Sequence, residues 1–561
     1  MHHPFVPLML LVLAPVLGVA WATGLWARRA VRWAIATLGG LLLAASVGAG
    51  GVEFADLNRM KLWVAAAAVL VLALRQWGLA GFNARRSYLA GLAAVAVVAG
   101  IIYFNFFAFH GVGTNRVYIH LHDVAHYYLG SKYFREVGYA DLYTAMLRAE
   151  AERYDNHFKA VEARDLRTNA LVHIRVLLTG SDAVKARFTP ERWAAFQQDV
   201  AFFREAMGPQ YGDVLRDHGF NPTPVWALLG GALANLIPAG SARGILLLTL
   251  LDLALEAGLF AAIGWAFGGE VLLLALIEYC ALYGASFGWT GGSYLRYLWL
   301  LGVIGSACCL QRGRYATAGA LLAWASCLRI FPALFAAGLV CKAGAALIRQ
   351  RAVPVRYARF GASFIATAAL LLAGTAVLPR GVEHWREFHS NLQRHMATDA
   401  TNMVGLAEIV TYTGAAFPAT AEEAAHERAR RRAIALVQLA IALPVLVAFI
   451  AARSPHEDDV GAMALGATLV FGTLSLASYY YAFLLLLVFA HRRHPWRLAL
   501  IFGCEAVTYC LALFEDREVV VFFYRNVLIA YLLVALYGAA ARDEVSRLLR
   551  WIRRHWRPAA V

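Results

Sequence analysis

The chain has 561 residues, of which 60% are hydrophobic and 16% charged, and a formal net charge of +15. A soluble domain carries about 25% charged residues, so this composition, with a mean hydropathy of +0.57, excludes an ordinary soluble protein. The basic excess fits loops held beside anionic lipid, so membrane lipids are expected partners and nucleic acid is not.

The apolar residues come in long blocks such as Tyr88 to Phe104 and Val519 to Ala541. About 20 such residues span a bilayer as a helix, and helices satisfy their own backbone groups in lipid. The expected fold is an all-α polytopic membrane protein: a multi-helix transmembrane bundle with a helical extracytoplasmic cap.

Four spans come first, near 5–27, 32–51, 62–80 and 87–108, making 1–108 an N-terminal unit. The first apolar run, Phe5 to Trp26, is followed rather than preceded by Arg28, Arg29 and Arg32. That reverses the secretory-signal pattern and predicts an uncleaved span with its N-terminus outside. These arginines and Arg75, Arg85 and Arg86 assign their loops to the cytoplasm. Residues 109–222 then form an outer loop. In it, Thr189-Pro190-Glu191 reads as a helix start. Trp193, Phe196, Val200, Phe203 and Met207 follow at helical spacing. With a second helix from Leu142 to Phe158, they predict a cap of roughly 70 residues.

Central spans are expected within 223–378, near 224–239, 244–267, 294–310, 315–332, 333–348 and 359–378. The segment 270–288 breaks the parity set by the basic turn Arg312–Arg314, which predicts that it is re-entrant. A second outer loop covers 379–432. It carries Arg428, Arg430, Arg431 and Arg432 at the membrane edge, which cuts against this placement: either the topology differs there or, the favoured expectation, these arginines meet lipid phosphates. C-terminal spans within 433–541 lie near 433–452, 460–476, 478–491, 496–513 and 519–541. A basic cytoplasmic tail, 542–561, holds Arg542, Arg547, Arg550, Arg553, Arg554 and Arg557. Seven cysteines lie in or beside apolar blocks, so neither a disulfide framework nor a CxxC metal site is implied.

Three polar constellations carry chemistry. The first surrounds Asp123, just after the fourth span, with Tyr127, Gly130 and Phe134 on one helical face and His122 and His126 one turn apart. A carboxylate there could take the proton of an acceptor hydroxyl or merely cap a helix. His120, His122, His126 and Asp123 permit a metal, but no second cluster has ligand-like spacing; no metal and no cofactor are expected. The second constellation runs from Gly291-Gly292 to Pro332 and contains Arg329 at a span end. A charge near membrane depth usually has a task, and a phosphate would pair with it; the alternative is snorkelling. The third comprises Trp385, His389, Asn391, Arg394, His395, Asp399, Asn402 and Met403, a set that could hold sugar hydroxyls or phosphate. Asp252 and Glu256, one turn apart within a span, should face the bundle interior.

In this order the constellations resemble the C-type glycosyltransferase superfamily. They are most similar to its bacterial polyprenyl-phosphate-mannose-dependent alpha-1,2-mannosyltransferase family. The resemblance rests on Asp123, Tyr127, Tyr128, Gly130, Tyr133 and Leu142-Tyr143, then Asn221-Pro-Thr-Pro224, then the Arg312-Gly-Arg314 turn and Leu328-Arg329-Ile-Phe-Pro332. It covers about residues 115 to 400. Gly291-Gly292 stands where that family has Gly-Gln, and Arg329 where it has Lys. The cap and the four leading spans also exceed what the family needs. The resemblance implies a hexosyltransferase in the cell (inner) membrane with its active site facing the extracytoplasmic side. Asp123 would be the base, and Arg329, Arg394, His395 and Asn402 would contact a polyprenyl-phosphate sugar donor. His122, His126 and Tyr127 would shape the site for a glycan or glycolipid acceptor. Two other readings stand beside it: a polysaccharide polymerase or ligase using a lipid diphosphate, and a lipid or sugar transporter, which Asp252 and Glu256 partly favour.

Overall fold

Long apolar runs become helices, one of them (Ala421–Arg453) with Pro444 inside it, and the polar stretch after the second described span folds into a separate module. The computed structural model describes residues 50–77, 85–378, 380–396, 400–414 and 421–555, with the side chains of Met396, 421–425 and 539–555 excepted. The expected spans 5–27 and 32–51 lie largely outside these residues. Arg28, Arg29, Arg32, Asp399, Arg557 and the side chains of the other tail arginines lie outside them too.

The main elements begin with α1 (Phe54–Gln76) and α2 (Arg85–Tyr103). The module follows, with α3 (Leu121–Lys132), α4 (Leu142–Arg153), the hairpin β1 (Glu162–Asp165) and β2 (Ala170–His173), α5 (Pro190–Met207) and α6 (Tyr211–Arg216). Then come α7 (Pro224–Ala234), α8 (Ala242–Phe267), α9 (Gly269–Ala281), α10 (Leu298–Gln311), α11 (Tyr315–Leu328), α12 (Ala337–Gln350), α13 (Val355–Gly374) and α14 (Val382–Met396). The chain closes with α15 (Ala421–Arg453), short apolar helices over 459–491, α16 (Pro495–Ala512) and α17 (Glu518–His555). Among the described residues, seven helical stretches are long and apolar enough to cross a membrane. The fold is that of a multi-pass membrane protein.

The 190–207 helix forms where the sequence predicts it, while the helix expected from Leu142 to Phe158 stops at Arg153. Thr189 accepts the Arg192 N–H and Pro190 opens α5. Trp193, Phe196, Val200, Phe203 and Met207 are buried. At the module's centre is Asp199, absent from the sequence expectations. Its carboxylate accepts hydrogen bonds from Tyr133 Oη (2.6 Å), Tyr128 Oη (3.2 Å) and the Gly240 N–H (2.8 Å), and Lys132 Nζ lies 2.9 Å away.

Two expected segments are corrected. The stretch 224–239 is not a full span: α7 has 11 residues, about 16 Å of helix against roughly 30 Å of hydrocarbon. Both its ends stay with the module. Thr223 caps one end, and beyond the other Lys132 Nζ donates to the Ile237 carbonyl (3.0 Å). Conversely, 270–288 does not turn back. It begins at Glu270, paired with Arg75 at the last turn of α1. It ends with Phe287 packed on Phe104, Phe109 and Tyr118, beyond the far end of α2.

The segments nearest the module are also shorter than expected. Helix α10 starts only at Leu298 and α11 ends at Leu328. The backbone between Gly291 and Tyr297, and again over Leu474 to Ala477, leaves the helical conformation. Irregular backbone at such depth is tolerated where it is buried in protein or lines a cavity. Here it carries the polar side chains described next.

Candidate functional site

Helix α3 builds the first wall. His120 is its N-cap and accepts the Asp123 N–H at 3.2 Å, so the Asp123 side chain is not needed as a cap. Gly130 permits close docking of the following chain, because a Cβ there would lie 2.6 Å from the Phe220 ring. Gly292 sits at φ +65° with space for a Cβ closed by the Tyr118 carbonyl, and the His120 N–H donates to the Gly292 carbonyl at 3.0 Å. The glycine pair thus lays the 291–297 loop directly against the start of α3.

That contact delivers Arg296, which the sequence reading passed over within the Gly-Gly-Ser-Tyr-Leu-Arg run. Its Nη2 lies 3.1 Å from Asp123 Oδ2, and Ser293 Oγ donates to the same oxygen at 3.1 Å. Arg296 Nη1 also donates to Tyr127 Oη (3.1 Å), and Arg329 Nη2 donates to that hydroxyl at 3.0 Å. Tyr127 in turn donates to Asn221 Oδ1 at 3.3 Å. One phenol therefore joins two guanidiniums, and one of these grips the carboxylate. Arg329 points into this cluster and does not snorkel away from it. Tyr479 and Tyr480, also absent from the sequence expectations, place their rings under the cations, with Arg296 4.1 Å from the first centroid and Arg329 5.5 Å from the second. Such contacts steady a desolvated cation. Among the described residues Arg329 has no carboxylate within ion-pair distance.

Burial drives the Asp123 carboxyl toward its neutral form, but Arg296, then His120 and His122, outweigh this and hold its pKa below the ordinary value. Behind it, His122 Nε2 lies 3.1 Å from Asp217 Oδ2. Burial lowers the His122 pKa, and the Asp217 contact more than reverses this. His126 is buried, with Nε2 2.7 Å from Tyr143 Oη and 3.1 Å from the Val214 carbonyl.

The expected third constellation is split. His395, in the last turn of α14, reaches the cluster's edge, its ring 5.4 Å from that of His218; burial first, then His218, lowers its pKa to about 4. Arg394 instead lies near Asp165 and Arg167 at the hairpin. Asn402 contributes its backbone carbonyl, which accepts the Ser478 N–H at 2.9 Å and so ties its loop to the turn carrying Tyr479 and Tyr480. Asn391 donates to the Phe220 carbonyl and has a packing role. Arg430 and Arg431 both bond to Glu427 on their own helix. Glu256 accepts from Tyr279 Oη at 2.8 Å. Asp252 is buried opposite the amides of Arg296 and Tyr297 without a hydrogen bond of normal length.

The chain matches no protein-family model, and neither a curated protein nor a solved structure matches it significantly.

Proposed function

We propose that this protein is a membrane glycosyltransferase that moves one hexose from a polyprenyl monophosphate to an acceptor at the extracytoplasmic face. The observation that carries the reading is the chain Asp123–Arg296–Tyr127–Arg329, which joins one carboxylate to two guanidiniums. A cation that has no carboxylate partner among the described residues, held against aromatic rings beside a carboxylate, suits a phosphate monoester next to a proton acceptor.

In the proposed step, Asp123 takes the proton of the acceptor hydroxyl as its oxygen attacks the anomeric carbon. The bond from that carbon to the phosphate oxygen breaks, and the electron pair leaves with polyprenyl phosphate. Arg329 and Arg296 stabilise the charge that grows on this leaving group, where fixed positive charge lowers a barrier most. A phosphate that draws Arg296 toward itself also loosens that residue's hold on Asp123. His122, His126 and Tyr127 shape the acceptor side, and His395 lines the opposite edge. A mannose-like hexose and a glycan or glycolipid acceptor follow the family resemblance, as does the cell-membrane setting.

The test is transfer by the purified full-length protein in lipid nanodiscs, with a polyprenyl-phosphate hexose and a glycolipid acceptor. Asp123→Asn should lower turnover about 10²–10⁴-fold, the usual worth of a general base; because it also leaves the buried Arg296 without its carboxylate partner, a lowered unfolding temperature is expected and turnover is measured below it. Retained turnover would remove the proposed base. Two guanidiniums on one hydroxyl also offer enough charge for a lipid diphosphate, the donor a polymerase or ligase would use. Mono- and diphosphate donors compared in that assay separate the two readings.

A further inference from the structure

We propose that His122, His126 and Asp217 together bind one divalent transition-metal ion of the zinc class, in an open three-ligand site beside Asp123. The two histidines stand one turn apart on α3, with ring centroids 5.0 Å apart. Asp217 follows α6 directly and supplies the second ligand-bearing segment.

The spacing is that of ligands around a small cation. Asp217 Oδ2 lies 3.1 Å from His122 Nε2 and 3.8 Å from His126 Nδ1, and one ligand atom from each residue falls within 4.8 Å of the others. Tetrahedral zinc with bonds of about 2.0–2.1 Å sets its ligand atoms about 3.3 Å apart. The two shorter separations bracket that value, and His122, with a third of its side chain exposed, has room to adjust.

The surroundings orient the lone pairs inward. His126 Nε2 lies 2.7 Å from Tyr143 Oη and 3.1 Å from the Val214 carbonyl, which can only accept, so the tautomer that satisfies both oxygens carries its hydrogen on Nε2. In that tautomer Nδ1 is unprotonated, and it faces Asp217 Oδ2 at 3.8 Å. Among the described residues no donor serves this nitrogen. A ring held by a backbone carbonyl on one nitrogen and free on the other is the arrangement that fixes metal-binding histidines. On the carboxylate, Oδ1 accepts the His218 N–H at 2.7 Å, which leaves Oδ2 toward the two rings. His218 itself turns away to Asn169, with Nδ1 2.8 Å from its Oδ1. A cation would take the place of the proton shared between His122 Nε2 and Asp217 Oδ2 (3.1 Å) and would also serve His126 Nδ1, 3.8 Å from that oxygen; imidazole ligands favour zinc-like ions over magnesium or calcium. Three protein ligands leave a position for water or a substrate oxygen.

The decisive measurement uses the full-length protein, stripped with chelator and titrated with Co²⁺ while the visible absorption of tetrahedral cobalt is followed; elemental analysis counts bound Zn²⁺. The expected result is one equivalent of Co²⁺, displaced by Zn²⁺ but not by excess Mg²⁺. Affinity should fall at least 100-fold in both His122→Gln and Asp217→Asn. These side chains are partly exposed, so both variants should fold, and their thermal unfolding is recorded alongside; His126→Ala, in the core, serves only as a supporting variant. No cobalt band in the wild-type protein, or undiminished binding in the two folded variants, overturns the site. The readout needs no sugar donor, so it fails or succeeds separately from the transfer assay.

Discussion

Tyr127 holds the candidate site together through a single oxygen. It receives hydrogen bonds from Arg296 and Arg329 and donates one to Asn221. Hydrogen bonds involving charged groups contribute about 1.5–3 kcal/mol each, and two like charges drawn to one acceptor need that acceptor to remain close. Tyr127→Phe removes the oxygen and keeps the ring. We expect it to cost about 1.5–3 kcal/mol of stability and, if the transfer reading holds, to raise the KM for the donor. Thermal unfolding and donor titration of one preparation measure both. An unchanged unfolding midpoint would mean that the Tyr479 and Tyr480 rings, with Asp123 on Arg296, orient the guanidiniums without the phenol oxygen.

Helix α3 owes its position to partners on three other segments: the 291–297 loop at its start, Phe220 at Gly130, and the Asp199 cluster at its end. Asp199 is the strongest of these anchors, because four donors, from Tyr128, Lys132, Tyr133 and Gly240, converge on its carboxylate. Breaking a buried ion pair by removing one partner costs about 3–5 kcal/mol, since the other charge stays buried and uncompensated. Asp199→Ala should therefore loosen α5 from α3 and from the turn before α8, and expose the 190–207 helix to protease at temperatures where the wild-type chain resists. Equal protease resistance in the two proteins would show that packing of Trp193, Phe196 and Phe203 suffices without the carboxylate. Spacing alone announced α5 and its cap, because both depend on neighbours within a turn. It could not announce Asp199, whose partners lie on other segments.

Across the whole bundle, a buried ion pair ties the C-terminal helices to the site-bearing end. Arg525, 0% exposed, places its two Nη atoms 2.8 and 3.0 Å from the Glu505 carboxylate, and Glu505 Oε2 also accepts the Tyr283 N–H at 2.8 Å. This joins α16 and α17 to the turn that follows α9. Arg525→Ala strands the acid, and a loss of about 3–5 kcal/mol is expected, read as a lowered unfolding temperature in detergent. A midpoint within error of wild type would remove the pair from the structural core. Hydrophobic block length and local periodicity were enough to establish a helical multi-pass chain and the start of α5. These properties depend on residues close together in the chain. The short α7, the traverse of 269–291, the arrival of Arg296, Tyr479 and Tyr480 beside Tyr127, and the meeting of Asp217 with two histidines depend on contacts between distant segments. Apolar content does not distinguish a helix that crosses from one that docks, and no spacing rule records which loop a tight glycine pair will press against a helix.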